Sequence, residues 1–476
     1  MKYSYLLLFS LLIQSGFAQS QDSVNVLSID DFYGLVLQNH PVVRQAALLE
    51  GNAQQEIRLA RGSFDPKLNS NYDYKTLKGS EYWDQWDHEL KVPVWFNTDL
   101  KVQYQRAFGQ YLQEDFVNTE NGLLAIGVSV PLGQGMFIDQ RRASLRQAQL
   151  MIDMAEAEKI KMINKILLSA AKDYWDWYLK YAEYQIRIEA LELAEFRLNG
   201  IIESVLNGDK APIDSVEAEI TKQNRDIEMQ QARIAFLNAG LILSNHLWSP
   251  DNEPVELSET VVPSITTGNE FLTTQELQLL LDIARDQHPE LRKINAKYSQ
   301  YEIEQRLNRE MLKPQLNLNY NFLRQEGANN SGNEFLFDDN YKFGLEFAFP
   351  LLLRKERAKL AKTNIKLMDV SLERNRLRRE ILNDIRTSYN QLINTTDMIT
   401  LQQAMVANYE VLVAGEMMKF ENGESSLFLV NSRESKLIEA RSKLLKLEVN
   451  YEKEKAFLMW SAGTSNLGIE LVATQQ

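Results

Sequence analysis

The ionisable residues that could act together sit at two short turns. One holds Asn207, Gly208, Asp209, Lys210, Asp214 and Glu217; the other holds Glu421, Asn422, Gly423, Glu424, Ser425 and Ser426. Carboxylates crowded at one opening would repel each other and focus cations there, if symmetry repeats them around an axis. In a single exposed loop they would only be solvated. Other candidates are weaker. His40 and His288 each precede proline and have no partner at ligand spacing. The residue before proline is pushed out of the α region, so each histidine is expected to end a short helix. Gly133-Gln134-Gly135 follows a strand but lacks the third glycine and the βαβ context of a dinucleotide loop. It reads as a strand-to-helix corner. Tyr174, Trp175, Trp177, Tyr178, Tyr181 and Tyr184 read as packing between helices, and Arg374, Arg376, Arg378 and Arg379 as a solvated or inter-subunit face. No nucleophile–base set or paired carboxylate stands out. No catalytic, cofactor-binding or metal-ligating residue is expected, and the chain does not read as an enzyme.

The 476 residues are 44% hydrophobic and 25% charged, with a net charge of −13. That balance argues against a nucleic-acid partner. Composition alone suits a secreted soluble protein with an acidic surface. No cysteine is present, which excludes a disulfide framework and a lipidated N-terminal cysteine. Lys2, an apolar run from Tyr5 to Ile13, and small residues at Gly16 and Ala18 describe a signal peptide over 1–18. Beyond it, no stretch reaches the roughly 20 apolar residues of a membrane helix.

The rest of the chain is one pattern made twice. His40-Pro41 and His288-Pro289 each meet the next proline 25 positions on, at Pro66 and Pro314. A short helix with a capping signal precedes each pair, Ser28 with Asp31 and Thr273 with Glu276. β-like sequence follows, leaving through Val130-Pro131-Leu132 and Phe349-Pro350-Leu351. Then an offset of 215 pairs Tyr174 with Tyr389, Gly200 with Gly415, and Asn207-Gly208 with Asn422-Gly423. The predicted organisation is a first repeat at 19–248, with strands in 66–131 and a helical hairpin at 137–248. A linker at 249–270 leads to a second repeat at 271–463, with strands in 314–350 and a hairpin at 351–461. A tail at 464–476 completes the chain. Phe137 to Asn199 and Leu351 to Ala414 contain no Gly or Pro. Their apolar residues recur at three and four spacing, as in coiled-coil packing.

The strand segments alternate. Asn69 and Asn71 oppose Leu68 and Tyr72; Asn317, Asn319 and Asn321 oppose Leu318, Tyr320 and Phe322; Lys342 and Glu346 oppose Phe343 and Leu345. Period two means one apolar and one polar face. Either a soluble antiparallel sheet or a transmembrane barrel with a polar lumen has this pattern. The helices leave no apolar face to cover the sheet, and aromatic residues crowd its apolar side, which favours the barrel. An open edge cannot face lipid, so closing a barrel from so few strands demands an oligomer. The segment 66–131 is longer than 314–350 and holds two more alternating runs, near His88–Trp95 and Leu100–Phe108. They are either an extracellular hairpin or additional barrel strands.

The duplicated order of these signals resembles the TolC-like outer-membrane efflux proteins over essentially the whole mature chain. The carriers are the two His-Pro openings (usually Asn-Pro in that family), the proline before each outgoing strand, the Val-Pro-Leu and Phe-Pro-Leu exits, and the glycine turn of each hairpin. The fold implied is mainly α with a transmembrane β part: a duplicated helix–strands–helical-hairpin unit, assembled as a trimeric α-barrel plus an outer-membrane β-barrel. The resemblance implies an exit duct of a tripartite efflux or secretion system. Its partners would be two further copies, a periplasmic adaptor, an inner-membrane transporter and outer-membrane lipid, with no cofactor. The turns at Asn207–Asp214 and Asn422–Phe428 would form the periplasmic tip, gate and adaptor contact. Asn69, Asn71, Asn317, Asn319, Asn321, Lys342 and Glu346 would face the barrel lumen. The family commonly places an acidic residue six positions after the second turn glycine; here it is Leu429, while the first turn has Asp214 and Glu217. The alternative is a periplasmic coiled-coil adaptor or scaffold without a pore.

Overall fold

A computed structural model describes residues 25–109, 111, 122–264, 273–325 and 340–464. The signal-peptide and C-terminal-tail expectations fall outside these residues, apart from Thr464. The chain begins with β1 (Asn25–Leu27), α1 (Ile29–Asn39) and α2 (Pro41–Arg61). Four strands follow: β2 (Lys67–Leu77), β3 (Ser80–Pro93), β4 (Asp99–Phe108) and β5 (Leu123–Pro131). Then come α3 (Gln140–Leu206), α4 (Pro212–Ser244) and β6 (Val261–Pro263). The second repeat has α5 (Thr274–Gln287), α6 (Pro289–Glu310), β7 (Gln315–Gln325), β8 (Tyr341–Ala348), α7 (Arg354–Glu421) and α8 (Leu427–Ser461).

The opening helices of the two repeats pack alike. α1 buries Phe32, Tyr33 and Val36, and α5 buries Leu280, Leu281 and Ala284 at the same spacing. The His-Pro pairs do more than end α1 and α5. Each histidine also caps the following helix: the Val42 N–H donates to His40 Nδ1 (3.1 Å) and the Glu290 N–H to His288 Nδ1 (3.2 Å). Proline at the first helical position needs no partner for a missing N–H, so cap and proline act together. α2 and α6 stop four or five residues before Pro66 and Pro314, so those prolines open strands rather than break helices.

α3 has 67 residues and α7 has 68, about 100 Å each at 1.5 Å per residue. Both run through Gly200 and Gly415 and are longer at the tip than expected, while α4 ends at Ser244, short of the expected 248. The expected linker is not merely connecting: β6 pairs in parallel with β1, tying the junction between repeats to the start of the described chain. The predicted aromatic cluster is core. Tyr174, Trp175, Trp177 and Tyr178 are buried with Phe32, Phe236 and Leu243, and the Tyr174 hydroxyl donates to the Leu27 carbonyl (2.9 Å).

The helices form an open layer. Next to the sheet the packing runs α2–α3–α6–α7, and toward the turns it runs α4–α3–α8–α7. α2 and α4 are therefore one flank and α7 the other. The flanks keep apolar residues exposed. On α4 these include Ile213, Ile220, Ile227, Ile234 and Leu241, spaced by seven; on α7 they include Ile365, Met368, Leu372, Leu401 and Met405.

The two extra alternating runs are strands of the main sheet. Its order is β2-β3-β4-β5-β7-β8, antiparallel throughout, with β2 and β8 as free edges. The β2–β3 turn has positive φ at Lys78 (54°) and Gly79 (76°), as a two-residue hairpin of matching twist requires.

Candidate functional site

Two regions carry the predicted site residues: the hairpin turns and the polar face of the sheet. Each turn is built the same way. Gly208 and Gly423 hold φ of 81° and 78°, the left-handed region where a side chain is strained. The Gly208 N–H donates to the Val205 carbonyl and the Asp209 N–H to the Ser204 carbonyl (3.1 and 2.9 Å). The Gly423 and Glu424 N–H groups do the same with Phe420 and Lys419 (3.1 and 2.8 Å). These bonds satisfy the last carbonyls of α3 and α7. Pro212 then starts α4, and Ser426 caps α8 by accepting the Leu429 N–H (3.4 Å).

The turns stand side by side. Lys210 Nζ lies 3.4 Å from the ring centre of Phe420, linking the two hairpins. Beneath them Leu198, Ile201, Ala218 and Leu427 form a small core with Val205 and Phe420. Ser425 donates to Glu416 Oε1 (2.5 Å). Asp209 and Glu424 are exposed, while Asp214, in the first turn of α4, and Glu217 are half-buried. Leu429, at the position where the resemblance calls for an acid, is exposed.

Sequence reasoning missed the groups that lock this end. Arg197 is buried on α3 and forks onto both carboxylate oxygens of Glu434 on α8, with one contact at 2.9 Å. It also donates to Asn431 Oδ1 (3.1 Å), and Asn431 Nδ2 donates to Thr221 Oγ1 on α4 (3.0 Å). Arg225 of α4 donates to Ser435 of α8 (2.8 Å). The signal was available: Arg197 shares the apolar face of Ala190, Ala194, Leu198 and Ile201, where an arginine needs a buried partner.

In the sheet, register partners share a face. Asn317 pairs with Glu346 and Asn321 with Lys342, while Asn69 pairs with Glu89 and Asn71 with Asp87. Followed across all the strands, every predicted lumen residue falls on the same face. Lys67, Lys91, Lys101 and Asp87 join it, and Gln103 donates to Asp87 Oδ1 (3.0 Å). The opposite face is apolar nearest the helices and mixed toward the far end, where it carries Ser70, Asp84, His88, Arg106 and Arg324. One row across it reads Leu68, Leu90, Val102, Ile126, Phe322, Tyr341. Tyr72, Trp86, Phe343, Leu345 and Phe347 are exposed on the same side.

The expected corner at Gly133-Gln134-Gly135 is where the repeats meet under the sheet. The Gln134 N–H donates to the Pro314 carbonyl (2.9 Å), and a Cβ on Gly133 would come 2.3 Å from that oxygen. Among the described residues no group of His, Asp and Glu is arranged to hold a metal. No helix among them is long and apolar enough to cross a membrane.

The sequence over residues 280–464 matches the family model described as outer membrane efflux protein. No curated protein matches the sequence. Several solved structures match the fold. The VceC outer membrane protein of Vibrio cholerae superimposes with a TM-score of 0.61 at 15% identity, covering 92% of this chain and 96% of its own. The open-state MtrE channel of Neisseria gonorrhoeae gives 0.64 at 12%, covering 92% and 89%. The CmeC channel of Campylobacter jejuni gives 0.61 at 13%, covering 91% and 85%. Residues 280–464 are thus similar to the outer membrane efflux protein family, and over 91–92% of its length the chain has the fold of these outer-membrane channels.

Proposed function

We propose that the protein is the outer-membrane exit duct of a tripartite efflux or secretion system. It passively conducts substrates that an inner-membrane transporter and a periplasmic adaptor deliver. The observation that carries this reading is the sheet: one face carries an open apolar row across all six strands and is backed by a polar face. Strands of 8–14 residues suit a tilted crossing of the bilayer, and lipid is the solvent that such a face requires. The long helices then extend into the periplasm. The stripe Ile213–Leu241 on α4, with its period of seven, and the apolar residues of α7 support a coiled-coil contact between copies. Three copies joined flank to flank would make a closed tube, with the turns around its far end. There Asp209, Asp214, Glu217 and Glu424 would ring the opening and act in gating, with Lys210, Ser425 and Ser426 beside the adaptor.

Membrane extraction tests the main claim. The protein should resist alkaline carbonate and come out only with detergent, and the detergent-purified protein should conduct ions in planar bilayers. Release by carbonate alone would return the reading to a periplasmic adaptor without a pore. For the ring, Asp214→Ala with Glu217→Ala should raise single-channel conductance or change block by divalent cations. Unaltered currents would remove these carboxylates from the gate.

A further inference from the structure

We propose that all six strands of each copy enter the membrane wall, the free edge of β8 pairing antiparallel with the free edge of β2 in the next copy. Resting on the trimer proposed above, three copies of six strands close an eighteen-stranded barrel.

Four observations carry this. First, the strands alternate in direction, so an even number per copy leaves β8 running against β2. An identical neighbour can continue the antiparallel ladder without a break. Second, the apolar row from Leu68 to Tyr341 crosses β3 and β4 through Leu90 and Val102. An extracellular hairpin in water would have no reason to keep that face in register with the rest. Third, the β3–β4 turn is fastened at the base of the sheet, beside the helices. Arg141, at the start of α3, donates to Asn97 Oδ1 (2.8 Å) and Asp99 Oδ1 (3.0 Å), and Trp95 stacks on Phe64 (5.8 Å between ring centres). The chain therefore returns to the periplasmic end between β3 and β4. Fourth, the edges lie on the right flanks: β2 leaves α2, and β8 leads into α7. Joining copies along the helical flanks brings these two edges together.

The sheet also has the tilt that closure needs. The row that starts on Lys67, the first residue of β2, arrives on β8 at Lys342, six residues above Ala348. That is a climb of about 20 Å across about 24 Å of sheet at usual strand spacings. The resulting angle is about 40°, within the 35–45° of closed barrels. Eighteen strands place the pore among barrels that hold an open aqueous channel. Its diameter would be about 1.5 times that of a ring made from β4, β5, β7 and β8 alone, since diameter grows roughly with strand number. The β end would then not be the constriction, and exclusion by size would fall to the periplasmic tip.

The absence of native cysteine makes the edge directly testable in the full-length protein in membranes. Single cysteines at Asn69, Asn71 or Asp73 are each combined with one at Lys342, Gly344 or Glu346, all on the lumen face. A rival set places the first cysteine at Lys101 or Gln103. Asn319→Cys with Gly344→Cys, register partners within one copy, is the oxidation control. At least one β2–β8 pair should give covalent dimers and trimers on oxidation, and the β4–β8 set should give none. Cross-links from β4 to β8 would overturn the proposal in favour of four strands per copy. So would no inter-copy cross-link in either set, where the control closes and mass measurement in detergent shows three copies. A monomeric mass would instead sink the trimer itself. As an independent readout, membrane assembly and conductance are measured for Leu90→Asp, in the apolar row of β3. A charge there on the lipid face should block membrane assembly, whereas normal assembly and conductance with Asp at position 90 would place β3 outside the wall.

Discussion

Glu434→Ala should open the tip. Arg197 has only 8% of its side chain exposed and Glu434 16%, so the pair is largely desolvated. Removing the carboxylate leaves the guanidinium buried, with Asn431 as its remaining acceptor across the interface between α3 and α8. Breaking one side of a buried ion pair costs about 3–5 kcal/mol. The remaining bond to Asn431 places this case at the low end, about 3 kcal/mol. If parting of the hairpins frees Arg197 to water, that penalty falls on the closed state alone. At 1.4 kcal/mol per tenfold, the open-to-closed ratio would rise by roughly 100-fold. Single-channel recording reads this as a large gain in open probability. Replacing both residues by methionine removes the buried charge together with its partner, and should return the recordings most of the way to wild type. Wild-type open probability for Glu434→Ala, with an unchanged melting temperature, would refute the idea that this pair holds the hairpins together.

Acid should weaken the helix junctions. Burial pushes the His288 imidazole down from 6.5 to about 4, the neutral ring being the form whose Nδ1 can accept the Glu290 N–H. A lowered folded value means that its contribution is fully present above pH 6.5 and is lost as pH falls toward 4. It amounts to about 3 kcal/mol per chain. Thermal melts across that window should show the loss, and His288→Asn, which keeps a capping acceptor, should flatten the dependence. Burial and the neighbouring His246 push His40 down as well, so His40→Asn should add to the effect. Gly133→Ala forces a Cβ against the Pro314 carbonyl, a backbone atom that cannot swing aside, and should cost at least 1–3 kcal/mol as overpacking. Its readout is the yield of SDS-resistant oligomer, and a normal yield would show that the corner is soft.

Much of this architecture is legible in the sequence because it is periodic. Helical spacing marks α3 and α7, strict alternation marks the strands, and Asn-Gly marks both turns, whose geometry is local. The residues proposed to face the lumen share one face because period two fixes a face without knowledge of pairing. What alternation does not fix is which strands pair. The runs in β3 and β4 are placed by a tertiary contact, Arg141 on Asn97 and Asp99, that alternation does not report. The link between β1 and β6 was invisible for a similar reason: two three-residue strands separated by more than two hundred residues carry no periodic signal. The histidines end α1 and α5 as expected, and they also cap α2 and α6. Their role in ending α1 and α5 followed from proline, but the use of Nδ1 as an acceptor depends on burial, which spacing does not report. Arg197 carried a signal, a charge on an apolar face, but its partner on α8 is set by tertiary packing alone.

The β3–β4 turn has a consequence for how such a wall can change. Because it brings the chain back to the base of the sheet, the segment from β2 to β5 is built from whole up-and-down trips. A trip can be gained or lost without altering the direction in which β2 leaves α2 or β8 enters α7. The helices would not register the difference. One repeat here makes two such trips and the other makes one, so in a barrel closed from such copies the circumference would be a quantity the gene counts in hairpins.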